Sequence, residues 1–97
     1  MAHISLKEAL KQRNLMREAG KTMVFTNGHF DLLHIGHLDY LEKARACGDA
    51  LFLGLNGDGA TENLKGTGRP IVPAIERARL LAALSSVDAV IIFEADT

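Results

Sequence analysis

The sequence predicts an α/β protein built on an open parallel sheet. Short apolar or β-branched runs at residues 22–26, 50–55 and 89–93 have the composition of buried strands. Segments with helical spacing of apolar residues lie between these runs. Strands that alternate with helices in this way pack as a parallel sheet with right-handed crossovers. Ligands of such sheets bind beyond the carboxyl ends of the strands.

Three segments have the spacing of amphipathic helices: residues 5–19, 37–47 and 74–84. Ser5 is expected to cap the first helix, and Glu8, three residues further on, to complete a capping box. Gly48 is expected to end the second helix. Cys47, just before it, is interpreted as a small buried hydrophobe on the inner helix face.

Two loops are predicted after the first two strands. The first covers residues 27–35. The second covers residues 56–73, which are rich in glycine and contain both prolines of the chain. We expect this second loop to be mobile, with a short turn of helix near residues 61–64.

Composition favours a single domain over residues 1–97, in which residues 1–20 form an N-terminal helical segment. The chain is 47% hydrophobic and has a net charge of −1. A charge this close to zero provides no general attraction to nucleic acid or to an anionic membrane. No apolar run reaches the roughly 18–20 residues of a membrane span, and one cysteine cannot form an internal disulfide. We therefore expect a cytoplasmic protein without nucleic-acid or membrane partners.

Residues 26–37 carry the strongest functional pattern. They join the first strand to the second helix and include His34, Gly36 and His37. Free backbone N–H groups and the helix dipole favour an anion at a helix N-terminus. Gly36 lets a polyphosphate approach the backbone, and the two imidazoles can donate hydrogen bonds to it or carry positive charge. The pattern predicts in-line displacement at phosphorus, which needs positioning and charge stabilisation and no protein nucleophile.

A metal pair is the alternative use of two histidines that lie three residues apart. Only Asp31 and His29 stand nearby as further ligands, and zinc sites normally take more ligands than this pair supplies. We therefore predict that protein side chains hold no metal directly.

Residues 21–97 resemble the His-x-Gly-His nucleotidyltransferases, in their cytidylyltransferase-like branch, and are most similar there to the bacterial heptose 1-phosphate adenylyltransferases. Beyond residues 26–37, the matching elements are Ala44-Arg45, Gly48-Asp49, Asn56-Gly57-Asp58, Leu64-Lys65-Gly66, Arg69-Pro70, Glu76-Arg77 and Val87-Asp88. The resemblance implies a Rossmann-like fold. It also implies transfer of AMP from magnesium-bound ATP to a sugar 1-phosphate, with release of pyrophosphate, in the synthesis of the lipopolysaccharide precursor ADP-heptose.

The resemblance also implies roles for individual residues. His34 and His37 would bind the triphosphate and stabilise charge at the α-phosphorus, and Lys65 would reach phosphate oxygens. Asp31 and Asp58 would lie near the acceptor or the magnesium ion. The nucleotide site would be lined by Thr26, Asn27, Gly28, Phe30, Gly36, His37 and Arg77.

This sequence departs from the family at two places. His29 stands where many heptose-type relatives have cysteine. Family members also continue for several dozen residues and contain two further strands, so we expect either part of a longer bifunctional chain or a homodimer. Without neighbouring strands, residues 23–26 would form an apolar sheet edge.

Two alternative functions stay open. Glycerol 3-phosphate cytidylyltransferases are similar through Asp31, His34 and His37. That group, however, usually has arginine two residues before its Val-Asp pair, where this chain has Ser85. The other alternative is a non-catalytic nucleotide-binding fragment that retains the first half of the site.

Overall fold

The computed structural model describes residues 3–66, 68–69 and 71–93, and it confirms the predicted fold class. Within these residues, three parallel strands form one sheet in the order β1-β2-β3: β1 (Met23–Gly28), β2 (Ala50–Asn56) and β3 (Ala89–Phe93). The helices are α1 (Leu6–Glu18), α2 (Ile35–Arg45), α3 (Asp58–Lys65) and α4 (Ala74–Ala82). Residues 1–2, 67, 70 and 94–97 of the predicted domain lie outside the described residues. No described helix is long and apolar enough to cross a membrane.

Strand β2 is the centre of the sheet, and every one of its residues is buried. Its register pairs Ala50 with Met23 of β1, and Phe52 with Ala89 of β3. Because successive strand side chains point to opposite faces, β2 contributes to two cores. The first core includes Leu51, Leu53 and Leu55 of β2 with Leu41 of α2 and Ala78 and Leu81 of α4. The second includes Ala50 and Phe52 of β2 with Ala9 of α1, Ala89 and Ile91.

Strand β1 forms an edge of the sheet in the described part of the chain, as expected for residues 23–26. Phe25 on this strand is 58% exposed. Its ring lies over Gly54 of β2, where an added Cβ would come within 2.7 Å of Phe25 Cζ and 2.9 Å of Phe93 Cε1. Glycine at position 54 therefore allows two aromatic rings to meet over the central strand.

Several element boundaries differ from the predictions. Strand β1 continues to Gly28, and α2 begins at Ile35 rather than at residue 37. Residues 58–65 form an eight-residue helix, α3, where only a short turn was predicted. Cys47 follows α2 and is exposed, so its interpretation as a buried hydrophobe is wrong.

The N-terminus of α1 has the predicted Ser5 cap, which is one half of the predicted capping box. Ser5 Oγ accepts a hydrogen bond from the Glu8 backbone N–H at 3.1 Å. The Glu8 carboxylate accepts a hydrogen bond from Gln12 Nε2 at 3.2 Å. A single-sided cap of this kind still satisfies one of the free N–H groups in the first turn.

Candidate active site

A cleft of about 310 Å³ lies at the carboxyl end of β1 and is lined also by residues of α2 and α3, in the region where ligands of parallel sheets bind. Among the residues predicted for the site, it brings together Asn27, Gly28, Phe30, His37 and Lys65. His29 and Tyr40 also line it. Tyr40 was given no role from the sequence, and His29 was considered only as a departure from the family and as a possible metal ligand. Sequence spacing alone could have suggested Tyr40, because it lies one helical turn after His37.

The two histidines of the motif cap helix α2. His34 is the N-cap residue, and its Nδ1 accepts a hydrogen bond from the Gly36 backbone N–H at 3.0 Å. The His34 backbone N–H donates in turn to His37 Nδ1 at 3.1 Å. The two ring centroids are 4.0 Å apart. This reciprocal arrangement is a capping box built from two imidazoles.

The capping box fixes the tautomer of both rings. An Nδ1 atom that accepts a backbone hydrogen bond carries no proton, so the neutral ring carries its proton on Nε2. Burial lowers the pKa of His37, and the nearby positive charges of His34 and Lys65 lower it further. With Nδ1 accepting a backbone hydrogen bond, each ring presents its Nε2–H as the donor. Of the two modes foreseen from the sequence, hydrogen-bond donation fits this geometry.

Gly36 makes room for the capping imidazole. A Cβ at this position would lie 2.8 Å from His34 Cε1 and 3.1 Å from His34 Nδ1. Real Cβ atoms essentially never come as close as the 2.8 Å contact, so a side chain at position 36 would displace the His34 ring. Close approach of a polyphosphate is the predicted reason for glycine at position 36, and the capping ring is a second reason.

Residues 29–32, which follow β1, form a loop with a strained backbone. Phe30 and Leu32 have φ angles of 50° and 65°, in the left-handed region that costs non-glycine residues roughly 1 kcal/mol or more each. The buried Phe30 ring contacts the His37 ring edge-on, with centroids 5.3 Å apart. A Cβ at Gly28 would lie 2.9 Å from Phe30 Cε2. The strained loop thus places the Phe30 ring between the end of β1 and the His37 ring.

Asp31 connects this loop by hydrogen bonds to the segment before α4. Its fully buried carboxylate accepts hydrogen bonds from Arg69 Nε at 2.6 Å and from the backbone N–H groups of Ile71 at 2.8 Å and Val72 at 3.0 Å. Burial by itself would raise the pKa of Asp31, but these backbone bonds and the Arg69 guanidinium outweigh it and hold the pKa at about 2. Protein donors thus occupy this carboxylate in the ligand-free chain, and its proximity to the acceptor or magnesium stays a prediction.

Replacing Asp31 by asparagine is expected to lower the free energy of unfolding by about 2–3 kcal/mol at pH 7. The pKa of Asp31 is lower in the folded chain than its ordinary value of 3.8. Its stabilisation is therefore present above pH 3.8 and lost as the pH falls toward about 2. Denaturant unfolding at several pH values measures both effects. Asp39→Asn, at an exposed site on α2, is the control, and equal stability of the two variants would contradict the assignment.

Arg77 is buried and connects several segments by hydrogen bonds. Its side chain is 1% exposed. Nε donates to the Val72 carbonyl at 2.8 Å, and Nη1 donates to the carbonyls of Asn56, at 3.1 Å, and His29. Nη2 donates to Asp58 Oδ1 at 3.0 Å. Burial and these protein acceptors give the guanidinium a structural role, and the predicted nucleotide contact by Arg77 stays a prediction.

Asp58 joins the starts of two helices. It is the first residue of α3, and its Oδ1 accepts hydrogen bonds from Arg77 and from the Ala74 backbone N–H, the latter at 2.8 Å. Because Ala74 begins α4, this carboxylate caps that helix from outside. The side chain is 53% exposed. Its proximity to a substrate stays a prediction.

The remaining predicted residues lie around the cleft. Thr26 Oγ1 is 2.6 Å from the Tyr40 hydroxyl, a bond that joins β1 to α2. His34 borders a neighbouring depression of about 290 Å³ with Leu33, Ile35, Leu38 and Leu84. Lys65, the last residue of α3, is exposed at the cleft. Within the described residues, no group of three or more His, Cys, Asp or Glu side chains could hold a metal ion.

Comparison with known proteins agrees with this geometry. The chain is 54% identical over 95 residues to "Bifunctional protein HldE" of Syntrophotalea carbinolica, an alignment that covers 97% of this chain and 19% of that protein. It is 59% identical over 81 residues to the HldE protein of Methylobacillus flagellatus, covering 84% of this chain and 17% of that protein. The chain thus spans about a fifth of the length of these curated relatives.

A solved structure has a similar fold. The crystal structure of the lipopolysaccharide core biosynthesis protein from Thermoplasma volcanium matches with a TM-score of 0.71 and 32% sequence identity, covering 77% of this chain and 60% of that one. The model of the Cytidylyltransferase-like family matches residues 25–97. That match contains the two-histidine cap, the cleft and all three strand ends, and the chain therefore belongs to the cytidylyltransferase-like family.

Proposed function

We propose that this chain is the nucleotidyl-transferring part of a bifunctional enzyme, and that it transfers AMP from ATP to heptose 1-phosphate in lipopolysaccharide core synthesis. The observation that carries this proposal is the two-histidine cap of α2 beside Lys65, at the carboxyl end of the sheet. The similarity to HldE proteins and to a lipopolysaccharide core biosynthesis protein supports the sugar pathway. The predictions of a cytoplasmic location and of a homodimer or longer chain go with this proposal.

The reaction is an in-line displacement at the α-phosphorus of ATP. An oxygen of the sugar phosphate forms a new bond to the α-phosphorus, and the bond from that phosphorus to the oxygen bridging to the β-phosphate breaks. The electron pair of that bond leaves with pyrophosphate. No covalent intermediate with the protein is needed, so the protein contributes positioning and charge stabilisation.

The described residues supply donors suited to that task. The Nε2–H groups of His34 and His37 donate to phosphate oxygens as charge shifts onto the leaving group. The Lys65 ammonium adds a positive charge at the same cleft. Donors held by the capping box need no rearrangement when the charge develops.

Magnesium enters with ATP as part of the substrate. The carboxylate of Asp31 is filled by protein donors, and Asp58 Oδ1 accepts two hydrogen bonds. Neither oxygen of Asp31 is free of a protein donor, so this residue does not fit a resident metal centre, and the triphosphate oxygens would hold the ion.

A pyrophosphate-release assay tests the proposed function. The chain is incubated with magnesium and either ATP or CTP, with heptose 1-phosphate or glycerol 3-phosphate as the acceptor. The proposal predicts release that requires both ATP and heptose 1-phosphate. Release with CTP and glycerol 3-phosphate would replace it by the cytidylyltransferase alternative. Saturable ATP binding without release under any pairing would support the non-catalytic fragment.

Replacing Lys65 by methionine is expected to weaken ATP binding about tenfold, because a charge-assisted bond to phosphate is lost. Calorimetric titration with magnesium–ATP measures the change. Lys43→Met removes an equal charge from an exposed site in the last turn of α2 and serves as the control. Equal affinity of the two variants for ATP would show that Lys65 is a solvated surface residue without a phosphate contact.

A further inference from the structure

Helix α3 is attached to the cleft through a buried threonine. Thr61, in the middle of α3, is fully buried. Its Oγ1 donates to the Gly57 carbonyl at 3.0 Å and lies 2.8 Å from His29 Nδ1. His29 follows the end of β1 and lines the cleft. The His29–Thr61 contact therefore joins α3 directly to the loop at residues 29–32.

The direction of this hydrogen bond follows from proton counting. A threonine hydroxyl has one proton, and Thr61 donates it to the Gly57 carbonyl. In its bond with His29, the Thr61 oxygen is therefore the acceptor, and His29 Nδ1 carries the proton. His29 is thus an Nδ1–H donor, whereas His34 and His37 have acceptor Nδ1 atoms.

The helical spacing connects Thr61 to Lys65. Residues four apart lie on the same face of a helix, so the face fixed by His29 is the face from which Lys65 projects. Lys65 lines the same cleft as His29 and His37. The start of α3 is held separately, by Asp58 and its bonds from Arg77 and Ala74. The described contacts thus hold α3 both at its start and at its centre.

We propose that His29 is a positioning residue, which fixes the rotation of α3 through Thr61 and so holds Lys65 at the phosphate side of the cleft. This inference deepens the proposed function and relies on it for its kinetic readout. His29 acts through Thr61 and Lys65 and needs no contact with the reacting atoms.

Matched substitutions distinguish loss of the His29–Thr61 hydrogen bond from loss of side-chain volume. His29→Asn places an amide N–H near the position of Nδ1, whereas His29→Leu keeps volume and removes the donor. Thr61→Ser keeps the hydroxyl, and Thr61→Val removes it at nearly constant shape. His3→Leu removes an exposed histidine outside the cleft and is the control. If Thr61→Val does not fold, the two His29 variants decide the question.

The kinetic arm uses pyrophosphate release at varied ATP concentration. We expect His29→Leu and Thr61→Val to raise KM for ATP about fivefold to tenfold with a smaller change in kcat, as expected for loss of one hydrogen bond. His29→Asn and Thr61→Ser recover most of this loss. The double variant His29→Leu/Thr61→Val is no worse than either single variant, because both remove the same contact. Additive losses, or a His29→Asn variant as impaired as His29→Leu, would overturn the proposal.

The structural arm is independent of turnover. Nitrogen-15 NMR of the imidazole is expected to show His29 protonated at Nδ1, and hydrogen exchange of the α3 amides is expected to be faster in His29→Leu than in the control. A wild-type chain that folds but releases no pyrophosphate would count against the proposed function. The NMR and exchange measurements would still test the His29–Thr61 hydrogen bond in that case. An unprotonated His29 Nδ1, or hydrogen exchange in α3 that His29→Leu leaves unchanged, would overturn the positioning role of His29.

Discussion

Replacing His37 by alanine is expected to lower the rate of nucleotidyl transfer at least about 100-fold, because one preorganised donor to the developing charge is lost. The structure gives a second reason for a large effect. His37 Nδ1 accepts the hydrogen bond from the His34 backbone N–H, so the same substitution removes one half of the capping box. Steady-state pyrophosphate release measures the loss, and circular dichroism with thermal unfolding shows that the variant is folded.

Two companion variants make the His37 result specific. Asp39→Ala changes an exposed residue on the same helix and is expected to leave the rate unchanged. His37→Gln provides an amide N–H near the position of Nε2 and is expected to recover part of the activity. A folded His37→Ala protein with near-normal turnover would remove this histidine from the mechanism.

Replacing Arg77 by methionine is expected to lower the free energy of unfolding by about 3–5 kcal/mol, the usual cost of breaking a buried charged network. Methionine retains part of the apolar stem but leaves the carbonyls of His29, Asn56 and Val72 without the guanidinium. Since small domains have roughly 5–15 kcal/mol of total stability, this is a large share. Denaturant unfolding monitored by circular dichroism measures it.

The control for Arg77 lies two residues away. Arg79→Met removes an exposed arginine from the same helix and is expected to change stability by no more than about 0.5 kcal/mol. Arg77→Lys is expected to fall between the two, because an ammonium cannot reproduce the planar guanidinium fork. If Arg77→Met were as stable as Arg79→Met and lost only ATP affinity, Arg77 would again be a phosphate ligand.

The fold was predictable because its main determinants are local. The continuous apolar run of β2 indicates a strand buried on both faces, and the structure shows every residue of that strand buried. The cleft was predictable for a related reason. The block at residues 26–37 is contiguous in sequence, so a strand end and a helix start suffice to bring Gly28, Phe30 and His37 together.

The roles of Asp31 and Arg77 were not predictable from local pattern. Asp31 binds the backbone of Ile71 and Val72, about 40 residues away, and Arg77 binds carbonyls of His29 and Asn56. Such partners are set by how the loops pack over the sheet, and no local spacing encodes them. A charged side chain near a phosphate motif then has the same appearance in sequence whether it contacts ligand or protein.

The central claim, that the two-histidine cap binds a nucleoside triphosphate, is tested most directly by calorimetric titration with magnesium–ATP. The wild-type chain is compared with the double variant His34→Ala/His37→Ala, after both are shown to be folded. The account predicts saturable binding by the wild type and at least about a tenfold loss of affinity in the double variant. Equal affinity of the two proteins, or a folded wild-type chain that does not bind ATP, would contradict it.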